Sequence, residues 1–124
     1  LRRDGKLVSS GQRTEVCQYY AFFFGAATPE THAPLLKTLV EDFGPDRAKT
    51  GKWPEIHPAN AFIGNYLRLM LLAQEGYKEQ LLEEINGYFG YMARRTGTLW
   101  EHVGTTASCN HGFASYVACL LLDA

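Results

Sequence analysis

The sequence predicts an all-α domain built of antiparallel helical hairpins. Apolar residues recur at spacings of three and four over five segments, and Gly or Pro signals punctuate each of them. No alternating run reaches the length a sheet strand needs. At 124 residues the chain suits one domain, 1–124.

Thr14 caps a first helix over roughly 14–27, with Glu15 in its opening turn and Val16, Tyr19, Tyr20, Phe23 and Phe24 at helical spacing. Thr28-Pro29-Glu30 starts a second, where Pro suits the first position and the acid suits the positive dipole end. Leu35, Leu36, Leu39, Val40 and Phe43 form its apolar face, and Gly44-Pro45 ends it. Pro34 falls in its opening turns, where a missing donor costs little. Residues 44–57 read as a loop. A third helix opens at Pro58 and carries Phe62, Ile63, Tyr66, Leu67, Met70 and Leu71 to a stop at Gly76. The fourth runs from Tyr77 through Leu81, Ile85, Tyr88, Phe89 and Met92 to Arg94, Arg95 and Gly97. Residues 96–109 form a second loop. A fifth helix starts near Asn110, with Phe113, Val117, Leu120 and Leu121 apolar.

Composition narrows the function. Hydrophobic residues at 46% and charged residues at 20% describe a packed globular domain. Lys+Arg 12 against Asp+Glu 13 leaves a net charge of -1, with no basic footprint for nucleic acid or an anionic membrane surface. The apolar-leaning runs, broken by Gly25, Arg68 and Gln74, fall short of the ~20 residues that span a bilayer. Cys17, Cys109 and Cys119 are odd in number and lack a CxxC pair, which points to free thiols. The opening LRRDGKLVSSGQ has neither a Met start nor an apolar signal core, so the expectation is a chain cut from a longer one.

The loops differ in chemistry. The turns after the first and third helices are short and plain. The segments leading into the first, third and fifth helices carry Gln12, Arg13 and Glu15; Trp53, Glu55 and His57; and Trp100, Glu101, His102, Asn110 and His111. In an up-and-down array those three entrances share one end, which predicts a pocket rim. Aromatic planes beside carboxylates, with few cations, suit a neutral polyol such as a sugar. The same Trp53 and Trp100 also read as loop plugs beside solvated carboxylates. Glu101, flanked by Trp100 and His102, is either a general base or an exposed loop acid. His111 and Asn110 read either as ligand contacts or as caps. Zinc fits poorly, because His57, His102, His111 and Cys109 make no metal-binding pair on one element.

TEVCQYYAFFFGAATPE, PEIHPANAFIGNYLRL, TGTLWEH and SCNHGFAS together resemble the catalytic domain of bacterial α-L-rhamnosidases over most of the chain. The resemblance implies the C-terminal portion of an (α/α)6 barrel, a six-hairpin fold whose inner helices surround the site. It implies an inverting hydrolase that releases terminal α-L-rhamnose from glycosides; separately, the residues lead to the expectation of no cofactor and no metal. Glu101 falls on the family's general base and His111 on its sugar-contacting histidine. Trp100, Asn110, Glu15, Glu55 and His57 are further candidates for the sugar-binding rim. The general acid is expected ahead of residue 1, so the fragment alone should be inactive. An incomplete ring should expose inner faces bearing Phe22, Phe23, Tyr66 and Phe113, to be covered by the rest of the barrel or by self-association. A non-catalytic helical carbohydrate-binding or interaction module, or another (α/α) barrel glycosidase, would reuse the same scaffold.

Overall fold

A computed structural model describes residues 2–3, 6–7, 11, 13–59 and 61–123. Two short strands, β1 (Arg2–Arg3) and β2 (Lys6–Leu7), pair antiparallel, and the remainder of the described chain is helices and their connections. Helix α1 (Glu15–Phe23) is capped by Thr14, whose Oγ1 accepts from the Cys17 amide at 3.3 Å. It stops earlier than the apolar spacing predicts. Gly25 turns left-handed at φ +68° and donates to Phe22 O, closing the helix before residue 27.

Helix α2 (Pro29–Asp42) starts in a capping box in which Thr28 and Thr31 bond each other reciprocally. It kinks at His32, whose φ/ψ of −135°/37° leaves the helical region two residues before Pro34. That proline has no amide for the carbonyl four residues back and crowds it, so the turn opens rather than absorbing the ring silently. The expected 44–57 loop holds one helical turn, α3 (Arg47–Thr50), ended by Gly51 at φ +67°.

Helix α4 (Phe62–Gln74) begins after Pro58 rather than at it. The Ala59 amide is taken by the Glu15 carboxylate and Ala61 bridges to His102, so this segment is held out of the helix. Beyond the Glu75–Tyr77 turn, α5 (Lys78–Glu84), a π-helical turn (Ile85–Phe89) and α6 (Gly90–Thr96) follow without a break. The last described segment opens as a 3-10 turn (Gly112–Tyr116) and continues as α7 (Val117–Asp123).

The fold centres on α4. Gly64, Asn65, Leu67, Arg68, Leu69, Leu71 and Leu72 are all buried, so this helix is enclosed on most of its circumference. Tyr19, Leu36, Leu39, Leu81, Met92, Trp100 and Ala114 pack with it in one core. A Cβ at Gly64 would lie 2.6 Å from the Ala59 side chain and 3.1 Å from Val16, so only glycine permits Val16 of α1 and Ala59 to approach α4 this closely. The hairpin logic holds between α4 and α5: Arg68 meets Glu84 across the turn, so the two run antiparallel. On the other side Phe62 contacts His111 and Phe113, while Tyr66 contacts Phe113 and Tyr116. Both contact series advance together, so the 3-10 turn runs in the direction of α4. Among the described residues no helix is long and apolar enough to cross a membrane.

Helix α1 is buried only in part. Glu15 and Tyr19 are its buried residues, Phe22 is half-buried, and Phe23 and Phe24 are 41% and 73% exposed.

Candidate functional site

The loops ahead of α1, α4 and the 3-10 turn meet through their backbones. The Glu15 amide donates to His57 O at 2.9 Å and the His57 amide to Arg13 O at 3.0 Å. The Phe62 amide donates to Glu101 O at 2.9 Å, the Glu101 amide to Ser108 O at 2.9 Å, and the His111 amide to Leu99 O at 2.8 Å. Peptide groups that leave a helix unsatisfied are paired here with one another, which gathers three helix starts at one end. Phe62 is the junction. Its backbone holds Glu101 and its ring centroid lies 4.5 Å from that of His111.

Glu101 is half-buried, and among the described residues no hydrogen bond or ion pair engages its carboxylate. His102 beside it is committed: its Nδ1 accepts from the Gly104 amide at 2.9 Å, which puts the proton of the neutral ring on Nε2. Among the described residues His111 Nε2 is buried without a partner, and the Tyr116 hydroxyl is likewise buried and unpaired. Burial pushes the Tyr116 phenol well above its ordinary range, with the neighbouring Tyr88 and Tyr66 adding to the shift. Around His111 the rings of Phe62, Phe113, Tyr66 and Phe23 follow one another edge to face or tilted, with Phe23 and Phe113 exposed and Tyr66 half-buried.

Other sequence candidates fall elsewhere. Trp100 is 1% exposed, its Nε1 donates to Thr96 Oγ1 at 2.7 Å and its ring stands edge-on to Tyr91, so it plugs the core rather than offering a stacking plane. Glu15 points inward instead of lining the rim: it is 1% exposed, accepts from the Tyr19 hydroxyl and the Ala59 amide, and lies 3.5 Å from Arg47 Nε. Glu55 and His57 are exposed, His57 contributing its backbone to the platform. Asn110 is exposed and caps nothing. The residue preceding the 3-10 turn is His111, without a side-chain cap bond.

Sequence reasoning missed a buried ionic chain. The Arg68 guanidinium, 2% exposed, grips Glu84 with Nε and Nη2 at 2.7 Å each. Its Nη1 donates to Tyr19 O–H at 3.0 Å and to Leu39 O at 2.7 Å. Burial opposes the Arg68 charge, yet Glu84 and Tyr19 hold its pKa above the ordinary value, so it stays a cation. The available signal was Arg68 itself, a lone cation inside the most apolar helical run. Arg47 closes the other end, donating to Trp53 O at 2.8 Å and Ile56 O at 2.7 Å.

A cleft of about 760 Å³ opens between the C-terminal end of α2 and the α5 to α6 side, lined among others by Glu41, Glu83, Tyr88 and Tyr91. Neither Glu101 nor His111 lines it. Among the described residues no three His, Cys, Asp or Glu side chains are grouped to hold a metal. Compared with known proteins, the chain matches no family model, no curated protein and no solved structure.

Proposed function

We propose that the chain forms part of the active-site wall of an inverting glycosidase of the α-L-rhamnosidase type, its helices a portion of an (α/α)6 barrel. The observation that supports this most is the Phe62 junction, where an uncommitted carboxylate, Glu101, and a histidine with an unpaired buried nitrogen, His111, share one residue as neighbour.

In this reading Glu101 takes a proton from water as the water oxygen attacks the anomeric carbon. A second carboxyl, on a part of the barrel outside these 124 residues, protonates the leaving oxygen across a gap of roughly 6.5–9.5 Å. His111 Nε2 meets a sugar hydroxyl, which supplies the missing partner of a buried polar atom. Phe62 and Phe113 offer planes for the C–H faces of the ring. Trp100 serves the site from the core by fixing the loop that carries Glu101.

The observation favouring a non-catalytic carbohydrate-binding or interaction module instead is the exposed aromatic face of Phe23, Phe24 and Phe113, which can bind without chemistry. An aryl α-L-rhamnoside assay in a completed barrel separates the two. Glu101→Gln should lower kcat by about 10²–10⁴-fold with KM little changed, and NMR should show an inverted anomer in the parent. Unchanged turnover would leave the module reading.

A further inference from the structure

Buried charge in a small domain is costly unless it organises something, and the Glu15–Arg47 pair is buried on both sides, with side-chain exposures of 1% and 6%. Its bonds reach in two directions. Arg47 Nη1 and Nη2 clamp the carbonyls of Trp53 and Ile56, fixing the loop in which Trp53 adopts a left-handed φ of 52°. Glu15 Oε2 takes the Ala59 amide at 3.1 Å, two residues before Ala61 bridges to His102 and three before Phe62 binds Glu101 O.

From these contacts we propose that the Glu15–Arg47 pair is the positioning device of the Glu101 wall, setting the backbone at His57, Ala59, Ala61 and Phe62 against which Glu101 and His111 are registered. The pair touches neither the sugar nor water in this scheme; it acts on Ala59, close in sequence to Ala61 and Phe62, which bind the His102 and Glu101 backbones. Its importance for rhamnoside chemistry rests on the function proposed above, whereas the mechanical coupling stands on the contacts alone.

The test is site-resolved amide exchange on the folded 124-residue chain. Glu15→Gln keeps an oxygen for the Ala59 amide but discharges the pair, and Arg47→Lys keeps the charge but loses the fork onto Trp53 and Ile56. Both should speed exchange at the Phe62 and Glu101 amides by about tenfold or more relative to the core amides of Leu72 and Leu81, as local opening does. A role in general stability alone would move all four amides together and overturn the proposal, as would unchanged exchange. Should Glu15→Gln fail to fold, the milder Arg47→Lys decides by the same comparison. L-rhamnose titration of the parent chain tests the sugar reading separately, so failure of one is distinguishable from failure of the other.

Discussion

At the scale of single residues, polarity misleads wherever a polar group finds its partner inside the fold. Glu15 and Trp100 both sit in stretches that read as a wet rim, yet each is 1% exposed. Arg47 and Tyr19 absorb the Glu15 carboxylate, and Thr96 absorbs the Trp100 N–H. Tyr19 and Thr96 lie only four residues from their partners, and Arg47 alone is distant in sequence. Glu101 and His111 differ because backbone bonds alone place them, which leaves the Glu101 carboxylate and His111 Nε2 uncommitted among the described residues. One glycine matters in the same way. Gly44 has φ +111°, and a Cβ there would stand 2.7 Å from Arg68 Nη2. Gly44→Ala therefore strains the backbone and presses the guanidinium off Glu84. A loss of roughly 1–3 kcal/mol is expected in urea unfolding. A shift below a few tenths would mean the Arg68 cluster yields freely.

At the scale of elements, strong period and clear punctuation made α2, α4 and the α5 to α6 rod legible. The short α3 was not, since four residues carry no period. The π-helical turn stayed hidden because Ile85, Tyr88 and Phe89 keep ordinary helical spacing while the backbone accommodates one more residue per turn. This turn and the 3-10 turn bring Tyr88 and Tyr116 into the core beside α4, and burial raises both phenols, Tyr88 to about 12. The folded chain thus keeps protons that the unfolded chain releases near pH 10. This contribution to stability is complete below that pH and is lost as pH climbs from about 10 towards 12. The urea midpoint should fall across that window. A flat midpoint would mean that these tyrosines ionise without cost in the native state.

For the whole molecule, hairpin arithmetic predicts the gathering of alternate helix starts, and the backbone bonds joining Arg13–Glu15, His57–Phe62 and Leu99–His111 show it. What arithmetic could not supply was depth. The cleft beside α2, α5 and α6 lies elsewhere, and the converging starts carry exposed rings that include Phe23 and Phe113. That exposure suits a portion of a ring whose remaining helices complete the pocket, as proposed above. The most direct measurement is an L-rhamnose titration of the isotope-labelled chain within a completed barrel, followed by amide NMR. The account predicts saturable shifts clustered at Phe62, Glu101 and His111, preserved in Glu101→Gln. Shifts confined to the Glu83, Tyr88 and Tyr91 cleft, or none at concentrations that saturate ordinary sugar sites, would contradict it.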